Sequence, residues 1–233
     1  MRVLFVLLMM FSSPALAASA HHGHGAGHGP AVTHHGHGGM ASTAKTAADR
    51  NLLNVTQKMH QNMDVELIGT PDADFMRAMI PHHQGAIDMA RVVLKHGKDA
   101  RVRWLAGNIV KAQTWEIGWM KRLLARSNQP LDVKTGGGAM EKSADTGAKR
   151  DLLAIHHNMH KDMDVMLTGN PDADFVRAMI PHHQGAIDMA YWVRDYGRNT
   201  ETRKLAREII KAQTGEIAWM RHWLKDQDKS KVR

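Results

Sequence analysis

Methionine and histidine are the side chains of this 233-residue sequence that point most directly to chemistry. The chain holds 17 of each and no cysteine. A thioether sulfur is a soft, uncharged ligand that favours Cu(I) among biological metals. Because cysteine is absent, the chain has no thiolate ligand, no nucleophilic cysteine and no cysteine-linked lipid anchor. The residue types therefore point first to a soft metal.

Many of these residues lie in a segment that occurs twice. The stretch AMIPHHQGAIDMA covers residues 78–90 and returns letter for letter at 178–190. Aligned without gaps at a shift of 100 residues, positions 50–124 and 150–224 are identical at 44 of 75 places. The chain is therefore a tandem duplication, and each candidate ligand has a counterpart to compare with.

Eight methionines and histidines of the first copy lie on or beside the apolar stripes of its predicted helices, and all eight recur in the second copy. We call these sixteen residues the core ligand set: Met59, His60, Met63, Met79, His82, His83, Met89, Met120, Met159, His160, Met163, Met179, His182, His183, Met189 and Met220. Plain packing is the alternative, because a flexible thioether fills gaps in helical cores. Adjacent helical side chains point in different directions, so we expect His82 and His83 not to enter the core equally.

Two polar side chains share a stripe with Met120 on the third predicted helix. They are Gln113 and Glu116, which recur as Gln213 and Glu216. Burying them without a partner would be costly, so we expect the ring N–H of a nearby histidine to bind there. Exposure of Glu116 to water is the alternative.

Three helices per copy must position these residues, and strand signals are lacking, so the predicted fold class is all-α. The first helix is predicted over residues 50–68 and ends at Gly69, a residue suited to the left-handed C-terminal position. The second starts at Pro71, after the N-cap Thr70, and ends near residue 96. The third covers about residues 98–126.

Pro81, which recurs as Pro181, interrupts the second helix. It removes the backbone bond to the carbonyl of Arg77 and should kink the helix or divide it in two. A bend between Met79 and His82 would turn Met79 and one of the two histidines toward one point. A kink that serves packing alone is the alternative.

The rest of the chain divides into shorter segments. Residues 1–17 carry a basic start, an apolar run and Ala15-Leu16-Ala17, which predicts a secretory signal peptide cleaved after Ala17 and hence a periplasmic protein. We assign residues 18–49 to a disordered His/Gly-rich segment, 50–126 to repeat 1, 127–149 to a flexible linker, 150–226 to repeat 2 and 227–233 to a C-terminal tail.

Seven histidines fall in a glycine-rich tract at residues 21–40. They are His21, His22, His24, His28, His34, His35 and His37. Imidazole nitrogen suits Cu(II), Ni(II) or Zn(II) better than thioether sulfur does. We therefore expect the tract to capture divalent ions, with an unstructured spacer as the alternative.

The formal net charge of +8 would suit nucleic acid or an anionic lipid surface. However, the Lys and Arg residues are scattered among Asp and Glu along the predicted helices, with no aromatic-interleaved basic cluster. A solvated basic surface is the better interpretation, and export argues against nucleic acid. After the signal peptide no apolar run reaches the length of about 20 residues that would span a membrane.

Three paired motifs resemble the domain-of-unknown-function 305 family, and in particular its CopM-type periplasmic copper-binding members. The motifs are DADFMRAMIPHHQGAIDMA with DADFVRAMIPHHQGAIDMA, MHQNMD with MHKDMD, and KAQTWEIGWM with KAQTGEIAWM. The resemblance covers both copies. It implies a ferritin-like helical bundle whose inward Met and His residues bind copper, and a role in copper tolerance.

We expect binding that sequesters Cu(I) or hands it on to other periplasmic copper-handling proteins, without catalysis or nucleic acid. The alternatives are a weak metal-dependent oxidase and a helical interaction domain with a Met-rich face. A di-iron site needs Glu-x-x-His motifs. Here Trp119 and Trp219 stand three residues after Glu116 and Glu216, so the ligands do not match.

The linker lets the two copies either pack or stay apart, because a flexible segment of its length has a root-mean-square reach of about 25–30 Å. We expect each copy to fold and bind copper on its own. Three helices are an awkward number for a ferritin-like bundle. Either the internal prolines divide the second helix to give four, or the copies pack together.

Overall fold

A computed structural model of the chain describes residues 45–64, 67, 70–127 and 147–231, and its regular structure in these ranges is entirely helical. The helices are α1 (Ala47–Asn62), α2 (Pro71–His96), α3 (Ala100–Arg126), α4 (Gly147–Asp162), α5 (Pro171–Tyr196) and α6 (Thr200–Lys231). The predicted all-α fold with three long helices per copy is confirmed. None of the described helices is long and apolar enough to cross a membrane. The predicted signal peptide, the histidine tract and most of the linker lie outside the described residues.

The first helix of each copy is shorter than predicted. α1 starts at a capping box, in which the Thr46 hydroxyl and the Asp49 carboxylate each accept the other residue's backbone N–H. It ends at Asn62 instead of residue 68. At the other end of the chain α6 continues to Lys231, five residues beyond the predicted boundary of repeat 2.

The turn after the first helix is described in the second copy, and it shows what competes with the helix there. The backbone amides of Thr168 and Gly169 donate to the Asp174 carboxylate in the first turn of α5, at 2.9 and 3.0 Å. Amides held in this way do not prolong α4. Gly169 has the left-handed backbone, with φ of 82°, but it lies in this turn and not at a helix end. Gly69 is outside the described residues.

The central helices run unbroken through their prolines, α2 through Pro81 and α5 through Pro181. The alternative of four helices per copy is therefore wrong. Residues 73–79 of α2 are all buried, which is about two turns with protein on every side. α2 must be covered by more than the other two helices of its own copy.

The second copy supplies the rest of that cover. α2 and α5 pack against each other, with α1 and α3 beside α2 and with α4 and α6 beside α5. Their buried apolar side chains form one hydrophobic core to which all six helices contribute. We expected each copy to fold on its own, whereas the buried faces of α2 and α5 meet and the copies pack together.

Reciprocal carboxylate contacts join the copies at their edges. The Asp172 carboxylate at the start of α5 accepts the backbone N–H groups of Lys98 and Asp99 at 2.8 and 3.2 Å. Asp72 accepts the two amides just before α6 at 2.9 and 3.2 Å. A Cβ atom at Gly97 would collide with the Asp172 carboxylate, so glycine permits the close approach.

Candidate metal centre

The centre of the core holds a pair of imidazoles, one from each copy. The ring centroids of His82 on α2 and His182 on α5 lie 3.7 Å apart, with 40° between the ring planes, and both side chains are fully buried. His182 Nε2 lies 3.1 Å from the backbone oxygen of His82. Because a carbonyl can only accept, His182 carries a proton on Nε2, and in the neutral ring Nδ1 keeps a lone pair.

The neighbouring histidine of each copy is held by a carboxylate. His83 Nε2 lies 2.7 Å from Glu116 Oε2 on α3, and His183 Nε2 lies 2.6 Å from Glu216 Oε2 on α6. The carboxylate accepts, so Nε2 donates, and in the neutral ring the lone pair is on Nδ1. The prediction that Glu116 binds a histidine ring is confirmed, and the water-exposed alternative is wrong. The same prediction for Gln113 and Gln213 is wrong, because the side-chain oxygen of each is buried without a hydrogen-bond partner among the described residues.

Both adjacent histidines of each copy are fully buried, so the expectation of unequal burial is wrong. The two rings do point in different directions, as helix geometry requires. His82 meets α5 and His83 meets α3. The expectation failed because it assumed that α2 has one buried face, whereas α2 has protein on both sides.

Several ring nitrogens of these four histidines have unused bonding capacity. Within the described ranges, the Nδ1 atoms of His82, His83, His182 and His183 have no hydrogen-bond partner. The Nε2 atom of His82 has none either. A buried polar atom without a partner costs about 1–3 kcal/mol. A histidine that binds a metal usually donates its other ring N–H to a carboxylate or a carbonyl, and His83, His182 and His183 all do so.

Burial keeps the central rings neutral. It lowers the pKa values of His82 and His182 well below the usual 6.5, and the neighbouring histidines lower them further. Neutral imidazole is the form that binds a metal. At neutral pH these two rings can therefore coordinate without first losing a proton.

The ten methionines of the core ligand set all lie in the shared core, and none is more than 3% exposed. Two of them pack directly on glycine. A Cβ atom at Gly185 would lie 2.6 Å from the Met159 sulfur, and one at Gly85 would overlap the Met59 side chain. Sequence reasoning missed these glycines, although a glycine within the helical motif PHHQG was a signal for a close approach.

A second stack joins the first helices of the two copies. The ring centroids of His60 on α1 and His160 on α4 lie 4.2 Å apart, with 19° between the planes. His60 is buried and His160 is half-buried. The shared core thus contains two inter-copy histidine pairs.

The copies differ at the position that faces Met89 in the first copy. There the Thr56 hydroxyl donates to the Met89 sulfur at 3.9 Å, whereas the second copy has His156 in its place. Burial, followed by the effect of His160, lowers the pKa of His156 to about 4. Its Nε2 is buried and has no hydrogen-bond partner in the described part of the chain. Sequence reasoning overlooked His156 because it considered residues that the copies share.

Nitrogen and oxygen ligands do not converge by themselves. Among the described residues no three His, Asp or Glu side chains come close enough to hold one metal ion. The buried thioether sulfurs are the other candidate ligands in this core. The structure brings the core ligand set into one buried region, while the seven histidines of the tract lie outside the described residues.

A family model described as a domain of unknown function, DUF305, matches residues 72–224. The chain belongs to the DUF305 family. The match begins in α2 and ends in α6, so one DUF305 unit spans both copies, and the resemblance of the paired motifs to this family is confirmed.

Solved DUF305 structures share this helical fold. CopM in its Cu(II)-bound form is 32% identical, over 67% of this chain and 97% of the CopM chain, with a TM-score of 0.51. A DUF305 fragment from Deinococcus radiodurans is 27% identical, over 67% and 96% of the two chains, with a TM-score of 0.50. An uncharacterised protein of Acanthamoeba polyphaga mimivirus is 38% identical over 53 residues, and the chain spans 35% of the length of that curated relative.

Proposed function

We propose that this DUF305 protein binds Cu(I) through the core ligand set and sequesters the metal or hands it on. The observation that carries the proposal is the four buried histidine Nδ1 atoms that have no hydrogen-bond partner among the described residues, in a core with ten buried thioethers. Thioether sulfur favours Cu(I), and neutral imidazole is a common copper ligand. CopM has been solved in Cu(I)-bound and Cu(II)-bound forms, which supports copper as the metal.

We further propose that the protein is exported and that it has two classes of metal site, one in the helical core and one in the histidine tract. The sequence supports cleavage after Ala17, a periplasmic location, and a role in copper tolerance alongside other periplasmic copper-handling proteins. The histidine tract would take Cu(II) or other divalent ions. Deleting residues 21–40 should then leave Cu(I) binding largely intact, and loss of Cu(I) capacity on that deletion would contradict sites in the helical core.

Binding without catalysis fits this core better than the two alternatives. The methionines of the core ligand set are buried, so they do not form a face on which a partner could dock. Glu116 and Glu216 each bind a histidine of the central helices, and neither belongs to the Glu-x-x-His motif of a di-iron enzyme. We therefore propose that the protein is not an enzyme.

Titration with Cu(I) against a chromophoric Cu(I) chelator tests the proposal. Met79→Leu together with Met179→Leu keeps the side-chain volume and removes the sulfur, so the fold should persist. We expect the Cu(I) affinity to fall by about tenfold or more, which corresponds to about 1.4 kcal/mol or more. Met76→Leu is the matched control, because Met76 is buried on the same helix and its counterpart is Val176. Equal losses in both variants, or none in either, would refute the proposed ligands.

A further inference from the structure

The third helices of the two copies differ in charge, although they align residue for residue. α3 carries six basic side chains, all exposed, and a single acidic one, Glu116, which is buried against His83. Residues 200–226 of α6 carry six basic and four acidic side chains, and of these Glu201 and Glu208 are exposed. The interpretation of basic residues scattered among acidic ones is therefore wrong for α3.

α3 also displays two tryptophans that α6 lacks. Trp104 is 53% exposed and Trp115 is 58% exposed, whereas the counterparts on α6 are Lys204 and Gly215. The Trp115 ring packs edge-on against Trp119, with ring centroids 5.0 Å apart, and Trp119 in turn packs against the core. The contact with Trp119 thus holds the Trp115 ring at the surface.

Aromatic and basic side chains alternate along one side of α3. Lys111 lies two turns beyond Trp104, Trp115 one turn further, and Arg122 two turns beyond that, so the four share a side of the helix. Lys121 flanks them. We define the α3 face as Trp104, Lys111, Trp115, Lys121 and Arg122.

We propose that the α3 face docks the protein on the surface of a bilayer that contains anionic lipid. Indole rings favour the boundary between water and acyl chains. A Lys or Arg close to an anionic membrane surface contributes about 1 kcal/mol. The α3 face offers both, and no exposed carboxylate on α3 opposes them. A soluble acidic partner would account for the charge but not for two exposed indoles.

Vesicle binding tests the proposal with metal-free protein that starts at Ala18, which keeps every described residue and omits the apolar run of the signal peptide. The probes are vesicles of phosphatidylcholine alone and of phosphatidylcholine mixed with phosphatidylglycerol. We expect co-sedimentation with the anionic vesicles only, weakened by salt, and a blue shift of tryptophan emission. The other four tryptophans are buried or half-buried, so the shift reports mainly on Trp104 and Trp115.

Charge-matched variants separate the α3 face from the net charge. Lys111→Glu with Lys121→Glu changes the face, and Lys211→Glu with Arg221→Glu makes the same charge change at the aligned, exposed positions of α6. The first pair should weaken binding to anionic vesicles by about tenfold or more, and the second by less than about threefold. Equal losses would attribute the binding to net charge and overturn the proposal.

The tryptophans are tested separately. Trp104→Ala with Trp115→Ala should abolish the blue shift and weaken binding, while a thermal melt confirms that the variant is folded. Heparin serves as a soluble polyanion. If heparin binds as tightly as the anionic vesicles and the tryptophans make no difference, the partner is not a bilayer and the proposal fails. It also fails if anionic vesicles do not bind, or if vesicles of phosphatidylcholine alone bind equally well.

Discussion

At the scale of single residues, the contact between Glu116 and His83 determines which ring nitrogen is offered to a metal. Because the carboxylate accepts the Nε2 proton at 2.7 Å, the lone pair is left on the buried Nδ1. Glu116→Gln keeps an acceptor oxygen but removes the charge that strengthens this hydrogen bond. Made together with Glu216→Gln, it should weaken Cu(I) binding by about tenfold, with little change in melting temperature.

Chelator competition measures the effect of the two glutamine substitutions. Glu208→Gln, on the exposed side of α6, removes a carboxylate that faces away from the core and serves as the control. A complete loss of Cu(I) binding would make Glu116 a ligand. Unchanged affinity would mean that the contact serves packing alone.

Two buried histidines and the half-buried His156 should make stability depend on pH. The folded protein holds the pKa values of His82 and His182 well below 6.5 and that of His156 at about 4, whereas the unfolded chain returns them to about 6.5. Between the folded and unfolded values the unfolded chain binds more protons. The contribution of these histidines to the free energy of unfolding is therefore fully present above about pH 6.5. As the pH falls below that value, the free energy of unfolding decreases by about 1.4 kcal/mol per pH unit for each such histidine.

Denaturant titrations of the metal-free protein at a series of pH values measure this slope. His156→Thr introduces the residue that the first copy has, and it should flatten the slope between about pH 6.5 and about pH 4. His157→Gln also restores a first-copy residue, but at an exposed position, and should leave the slope unchanged. If both variants had the slope of the parent protein, the contribution assigned to His156 would be wrong.

At the scale of the helix, Pro81 and Pro181 lie inside unbroken helices and cannot donate the usual backbone hydrogen bond. Pro81→Ala with Pro181→Ala restores that bond, so the melting temperature should rise, because a proline inside a helix costs about 3 kcal/mol relative to alanine. If the prolines shape the metal site, the more stable variant should bind Cu(I) more weakly. Calorimetry and chelator competition measure the two effects. Unchanged affinity in a folded variant would assign the prolines to the architecture alone.

The helices were predictable where their signals are local. Pro71 at the first position of α2 and Asp99 as the N-cap of α3, whose carboxylate accepts the amides of Arg101 and Val102, allow both helices to be predicted to within about two residues. The end of α1 was not predictable in this way. In the second copy, the Asp174 side chain of the next helix binds the backbone of the turn that follows α4, and helical periodicity carries no sign of such a contact.

The site was predictable in its residue types but not in its geometry. The duplication marked the methionines and histidines, and the stripe shared with Met120 indicated that Glu116 faces a histidine. The equal burial of His82 and His83 was missed because it requires α5 on the far side of α2. Gly85 was missed for a different reason, since its role depends on how closely α1 and α2 of the same copy approach each other.

At the scale of the whole molecule, the two copies are halves of one core. α2 and α5 share 20 identical residues, 14 of them in an unbroken run at 77–90 and 177–190, and they pack against each other. The carboxylate contacts at the edges are reciprocal, and two histidine ring pairs cross between the copies. An interface in which each partner makes the same contacts has the form of a twofold homodimer.

Residues 144–233 expressed alone should therefore form a homodimer. This fragment contains α4, α5 and α6, and as a monomer it would expose the surface of α5 that meets α2, at a cost of about 25 cal/mol for each Å² of apolar area. In the dimer a second α5 takes the place of α2. The His182 ring would contact the same ring of the other chain, and Asp172 would accept the other chain's amides just before α6.

Sedimentation over a range of concentrations measures the mass of this fragment, and Asp172 provides a specific test of how it assembles. Asp172→Ala removes charge-assisted hydrogen bonds at both edges of the dimer, each worth about 1.5–3 kcal/mol, and should weaken association by about tenfold or more. Asp195→Ala removes an exposed carboxylate of the same helix and should leave association unchanged. A folded monomer at all concentrations would contradict the shared core, since α5 would then be stable without a partner helix. It would support the earlier expectation that each copy folds on its own.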